Sequence, residues 1–426
     1  MSNNRDLLAR RERLLGPGNP LFYEDPLHLV KGEGVWLYDA DGRKYLDCYN
    51  NVPCVGHCHP HVVEALSQQA KTLNIHTRYL HENILDYAER LLARLDPSLQ
   101  RVMLACTGSE ANEQAMRMAR HYTGGTGFIC TDASYHGNTS LVAQLSAIFE
   151  PIEGYQDYMR MVPWPDSYRR LDELEGEELA TAYADCVKVA IDSMHAAGIK
   201  LAAMLVCPIY ANEGLTEVLP SYLQQAVKHV REAGGVFIAD EVQSAFGRTG
   251  KFWGHEQTGV VPDIMTLGKP MGAGHPISGV IARSEIIDDY RNAAMYFNTF
   301  GGNPVSCAAA LAVLDVLEQE QLVENAAEVG AYVLQGLEKL QTKYDIIGDV
   351  RGRGLFFGVE MVSDRASKQA ASLETKVLVN KMRHAGVLMS SIGAHDNVLK
   401  LRPPLPFTNE NADYLLEVLD EQLRTL

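Results

Sequence analysis

Three short stretches hold side chains able to act together on one small molecule. Lys269 closes the apolar run "VPDIMTLG" and opens the glycine-rich "PMGAGHP". Lysine is seldom buried without a partner, and a desolvated amine has a lowered pKa and becomes a nucleophile toward a carbonyl carbon. Asp240 ends a second apolar run, "GVFIAD", with Glu241 directly after it. A carboxylate there can keep a heterocyclic nitrogen protonated. In "CTGSEAN", residues 106–112, a strand ends at Cys106 and a helix begins near Ser109. Small residues at such a junction leave backbone N–H groups and the positive helix end open to an anion such as a phosphate. Taken singly, each stretch has an ordinary reading: a surface lysine, a solvated or capping carboxylate, a helix start served by Ser109 and Glu110. The lysine spacing of a P-loop is absent.

The elements that must position these groups follow from the hydrophobic pattern. "RVMLAC", "GFICTD", "LAAMLVCP", "GVFIAD", "DIMTLG" and "ISGVIA" are short apolar runs, several of them separated by helix-length segments. Strands buried on both faces read this way, and the alternation predicts a mostly parallel sheet covered by helices, an α/β class. In such sheets ligands bind beyond the carboxyl ends of the strands, where all three stretches fall. "VWLYDADGRKYLDC" reads as a hairpin turning at Asp41-Gly42. From residue 303 a long helical stretch leads into an α+β segment and a closing helix. The expected organisation is a large domain over 60–310 and a smaller α+β domain built from 1–59 and 311–426.

Composition narrows the class of partner. The 426 residues are 46% hydrophobic and 22% charged, with a formal net charge of -16. Scattered basic residues on an acidic chain argue against a nucleic-acid partner and against a membrane surface. The start has no apolar core or cleavage site of a secretory signal, and no run suits a membrane span. Eight cysteines, most in apolar runs, read as reduced core residues of a cytoplasmic protein. "CVGHCHPH" is dense in cysteine and histidine but lacks a second ligand pair at finger spacing, so no metal is expected. Pro60 instead suits the first turn of a helix.

An anion seat, a carboxylate for a ring nitrogen and an imine-forming lysine are the groups that pyridoxal phosphate requires. The sequence resembles the class III (ornithine/ω-type) aminotransferases of fold type I over nearly its whole length, closest in look to the alanine–glyoxylate branch. The likeness rests on "VGHCHP", "TGSEAN", "YHG", "DEVQSAFGRTG", "PDIMTLGKPMGAGHPISGV", "TFGGNPVSCAAAL" and "RGRGLFFGVE", in the family's order. The resemblance implies that Lys269 carries the cofactor as an imine and moves the substrate proton, with Asp240 on the pyridinium nitrogen. Gly108 and Ser109 would bind the phosphate, Tyr135 would stack on the ring beside His136, and Gln243 would approach the ring hydroxyl. Thr299 would reach the cofactor of a neighbouring subunit, which implies an obligate homodimer with shared sites, or a tetramer built from such dimers. By the same analogy Asn51, Arg78 and Tyr79 are candidates for substrate contact.

The departures concern the substrate. Many relatives place arginine three residues before the double proline of a C-terminal strand; here that position is Lys400, and Arg402 directly precedes Pro403-Pro404. On a strand the two share a face and could hold an anion together. Asn212 stands where ornithine-type members have a gating glutamate, with Glu213 one residue on. The expected activity is transfer of an amino group from an amine or amino acid to an oxo acid such as pyruvate or glyoxylate. The alternative is a phospho-lyase acting on a phosphorylated amino alcohol.

Overall fold

The computed structural model describes residues 4–18, 20–217 and 219–426. Its centre is a seven-stranded sheet. The strands are β1 (Arg101–Ala105), β2 (Gly127–Thr131), β3 (Met159–Val162), β4 (Leu201–Val206), β5 (Val236–Asp240), β6 (Ile264–Leu267) and β7 (Ser278–Ala282). They lie in the order β1-β7-β6-β5-β4-β2-β3. All run parallel except β7, which is antiparallel to both β1 and β6.

Burial explains the uninterrupted apolar runs. In β5, Phe237 and Ala239 pack with the Gly176–Ala196 and Pro220–Glu232 helices. Val236 and Ile238 point the other way, into the cluster under the Gly108–Thr123 and Ser284–Ala293 helices. Every residue of β4 to β7 is buried. The two-residue period therefore sends Asp240 toward the Gly108–Thr123 helix.

A hairpin near the start of the chain meets a strand from its last fifty residues. The hairpin of Trp36–Asp39 and Lys44–Asp47, with Gly42 at φ 82, takes up Val387–Leu388 as a parallel neighbour. A further sheet contains Ile347–Arg353, Phe356–Asp364, Val398–Leu401 and Ser390–Ile392 in that order and carries Lys400.

One expectation changes and one strand is added. The stretch read as one long helical segment is two helices, Pro304–Gln319 and Leu322–Lys343, because Gln321 adopts a left-handed φ of 52 with no glycine or proline to announce it. Strand β3, "MRMV", lacks a clear apolar run because it is an edge strand paired only with β2. The histidines of "CVGHCHPH" turn to separate carboxylates: His57 to Asp47 at 2.7 Å, His59 to Glu320 and His61 to Asp315, both at 3.0 Å. His59 caps the Pro60–Thr72 helix, with Pro60 in its first turn.

Candidate active site

The three stretches converge beyond the carboxyl ends of β1, β5 and β6. A cavity of about 130 Å³ is lined by Gly108, Ser109, Tyr135, His136, Gly137, Cys207, Asp240, Val242, Gln243 and Lys269. A larger cavity of about 310 Å³, bounded by Leu215, Thr216, Arg351 and Phe356, brings together no such set and lies apart from Lys269.

The helix start is built to leave donors free. Thr107, not Ser109, is the cap: its Oγ1 accepts the Glu110 N–H at 3.1 Å. Glu110 Oε2 in turn accepts the N–H groups of Cys106 at 2.7 Å and Thr107 at 3.0 Å. Among the described residues nothing accepts the N–H of Gly108 or Ser109, the first two of the helix. The Ser109 hydroxyl exchanges hydrogen bonds with Asn138 at 3.2 and 3.3 Å. Close approach enforces the glycines: a Cβ on Gly137 would lie 2.6 Å from Ser109 Oγ, and one on Gly108 or Gly268 would press on Val242 at 3.2 Å.

Of the two acids at the end of β5, the structure separates the roles. Glu241 turns away and anchors a distant turn, accepting the N–H groups of Gly254 at 2.9 Å and His255 at 2.7 Å and pairing with His255 Nδ1 at 2.8 Å. Asp240 faces the cavity. Its Oδ2 meets His136 Nδ1 at 2.7 Å and accepts from Asn112 Nδ2 at 3.0 Å, while Oδ1 accepts the Val242 N–H at 3.0 Å. Burial acts to raise this carboxyl; the hydrogen bond and charge of His136, then Val242 and Asn112, outweigh it and hold the group below its ordinary value. Asn112 is itself locked by Thr266 Oγ1 at 2.7 Å and donates to the His136 carbonyl at 2.7 Å. It lies one helical turn after Gly108, inside the "TGSEAN" motif, yet its positioning role is missed by sequence reasoning.

Lys269 is half-buried. Desolvation lowers its pKa, and Arg402 lowers it further against the opposing pull of Asp240. The amine is therefore held toward its neutral, nucleophilic form. The thiol of Cys207, also in the wall, is pushed up by burial and stays protonated.

Other expected residues sit differently. Lys400 and Arg402 are buried behind Gln243 rather than on the open wall. Arg402 Nη1 and Lys400 Nζ both donate to Gln243 Oε1, the latter at 3.4 Å, and Lys400 also reaches Asn212 Oδ1 at 3.4 Å. Glu213 does not gate them; its carboxylate takes the Thr131 hydroxyl at 2.5 Å and the Asn212 N–H at 3.0 Å. Asn51 is buried but outside the cavity lining. Arg78, Tyr79 and Thr299 are not brought to this chain's own cavity. They are exposed, with Arg78 stacked 4.1 Å over the Phe297 ring. Tyr135 lines the cavity with its ring edge-on to Phe149 at 5.7 Å.

A profile of the family described as aminotransferase class-III matches residues 23–423. The chain belongs to the class III aminotransferases. It is 42% identical over 421 residues to alanine–glyoxylate aminotransferase 2 homolog 2, mitochondrial, of Arabidopsis thaliana, covering 97% of this chain and 86% of that one. It is 36% identical to ethanolamine-phosphate phospho-lyase homolog 1 of Caenorhabditis elegans, over 99% of this chain and 94% of the relative. Among solved structures it is similar to a phospholyase from Arthrobacter in complex with phosphoethanolamine, with a TM-score of 0.96 and 46% identity over 99% of this chain and 100% of that one. This class III aminotransferase thus has the fold-type I architecture, and its cofactor is pyridoxal 5′-phosphate. The residues present fit that group: free N–H donors for a phosphate, an ionised Asp240 for the ring nitrogen, and an amine with lowered pKa at Lys269.

Proposed function

We propose that this aminotransferase takes an amino group from an amine or amino acid and delivers it to pyruvate or glyoxylate. The observation that carries the reading is the placement of Lys269, a desolvated amine facing an ionised carboxylate beside an open helix start. Bound there, pyridoxal phosphate supplies a carbonyl that captures primary amines and a ring that draws electrons from the substrate's α-carbon. The chain's own residues do the rest. The N–H groups of Gly108 and Ser109 hold the phosphate. Asp240, oriented by His136 and Asn112, keeps a proton on the ring nitrogen. The Lys269 amine removes the α-proton and returns it one position away, the acid–base work common to both half-reactions. Lys400 and Arg402, which donate to the amide oxygens of Asn212 and Gln243 and to the Tyr49 carbonyl, serve an anionic group on the substrate.

That same pair favours a second reading, in which the anion is a phosphate on the β-carbon that departs after the α-proton is removed. Similarity to the Arthrobacter phospholyase supports it. A half-reaction screen separates the two. The pyridoxal enzyme is mixed in turn with amines, ω- and α-amino acids and phosphorylated amino alcohols, and cofactor absorbance and free phosphate are followed. Conversion of the cofactor by an amino donor, reversed by an oxo acid, supports the transferase. Phosphate release without an oxo acid supports the lyase.

We further propose a homodimer in the cytoplasm. Thr299 and Phe300 stand exposed outside the chain's own cavity, and Leu80 and Met295 are 98% and 85% exposed, an apolar set that a second copy would cover. The eight cysteines are all free, in keeping with a reducing compartment.

A further inference from the structure

Lys400 is 2% exposed and Arg402 7% exposed, and their environment is unusual for buried basic side chains. Arg402 donates to the Tyr49 carbonyl at 2.7 Å and to Gln243 Oε1, and lies 4.4 Å over the Tyr49 ring. Among the described residues Lys400 reaches only the amide oxygens of Asn212 and Gln243, each at 3.4 Å, with the Phe356 ring 5.6 Å away. The residues directly across from Lys400 on the two flanking strands are Gly358 and Ser390, neither charged. Glu360, two residues along from Gly358, is engaged by Arg351 and Arg169 at 2.7 Å each. From the loop after β4, Cys207 and Glu213 favour the charged lysine, but the Glu213 oxygens are turned to Thr131 and to the Asn212 N–H. From the end of β6 the facing group is the Lys269 amine, and Arg402 adds a guanidinium charge; neither favours a charged Lys400. A guanidinium and a lysine amine thus converge on one neutral carbonyl oxygen, a position where a carboxylate or phosphate oxygen would be far better matched.

We propose that Lys400 takes up one proton as the substrate's anionic group enters the seat it forms with Arg402, and that the Gln243 carbonyl oxygen occupies that seat until substrate arrives. The inference rests on the reading that the substrate is anionic, but not on which anion it is. The proton balance is simple: a neutral amine, one proton from solvent and the anion become an ammonium–anion pair. Burial and then the Arg402 charge push the Lys400 pKa well down in the free enzyme, and an anion in the seat offsets that charge. Arginine cannot do this, because it stays charged throughout.

The test is calorimetric titration of the holoenzyme with propionate, whose own charge is constant above neutrality, in buffers of differing ionisation enthalpy. Protonation at the cofactor is followed by visible absorbance in the same samples and subtracted. Wild type should take up close to one proton per site. Its affinity should fall about tenfold per pH unit across the window where Lys400 is neutral when free and charged when liganded. Lys400→Arg should bind propionate with no proton uptake and a flat pH profile. Lys400→Met should bind at least about tenfold more weakly, also without uptake. Absence of binding, absence of uptake in wild type, or uptake that survives in Lys400→Arg overturns the proposal. The arginine variant decides alone should the methionine variant fail to fold. Amino transfer and phosphate release are separate readouts, so a failed substrate reading is told apart from a failed proton count.

Discussion

Lys269 owes its reactivity to its neighbours rather than to its own chemistry. Burial and Arg402 lower its pKa, while Asp240 is kept ionised by His136. Lys269→Ala should reduce turnover at least about a hundredfold, the scale of a lost acid–base group. Borohydride reduction followed by mass spectrometry should find cofactor on the Lys269 peptide of wild type and on none in the variant. Turnover unchanged in the variant would remove Lys269 from the mechanism. Lys400 makes a prediction about stability. Its folded pKa lies well below the ordinary 10.5. Between that value and about 10.4 the unfolded chain binds the extra proton, so ΔG of unfolding rises with pH across the window. Lys400→Met removes this term. The wild type should therefore gain in melting temperature relative to Lys400→Met as pH climbs from neutrality, and a constant difference would contradict the buried, poorly paired lysine.

At the scale of elements, the site depends on how one helix start meets one loop. The Thr107–Glu110 capping box closes the helix with its own atoms and so leaves the Gly108 and Ser109 N–H groups open. Gly137, at φ 143, lets the loop after β2 settle against Ser109. Gly137→Ala combines a disfavoured backbone with a Cβ 2.6 Å from the Ser109 hydroxyl. Thermal unfolding should show a loss of about 1–3 kcal/mol, and equilibrium dialysis a weaker hold on the cofactor. A variant with wild-type cofactor affinity would show that the loop is not part of the anion seat. The "TGSEAN" motif exposed the junction in the sequence, but not which residue caps it: Thr107 and Ser109 are both good caps, and the extended φ of -130 at Thr107 decides.

For the whole molecule the open question is assembly. Leu80, Met295 and Phe300 are 98%, 85% and 70% exposed, and Thr299, directly before Phe300, is exposed outside its own chain's cavity. Wild type should sediment as a dimer. Leu80→Asp should shift the equilibrium toward monomer and lower turnover together with it, because each site then lacks the other copy's Thr299. A monomeric wild type with full activity would end the shared-site proposal.

The sequence by itself determined the chemistry that is available. Lys269, Asp240 and the Gly108–Ser109 helix start could be read because each ends an apolar strand, and strand ends are where an α/β sheet presents its ligands. The same local signals placed Asp240 at the strand end without saying where Glu241 beside it turns, missed Asn112, and put Lys400 and Arg402 on one face without saying what they face. Those answers needed the tertiary structure. Asp240 is chosen by the side of β5 that meets the Gly108–Thr123 helix, and Asn112 by its reach from that helix to Asp240 and Thr266. Lys400 and Arg402 converge on Gln243 only because a strand near the end of the chain folds back against the loops after β4 and β5. Contacts between residues more than a hundred and fifty positions apart are set by packing, which no local pattern encodes.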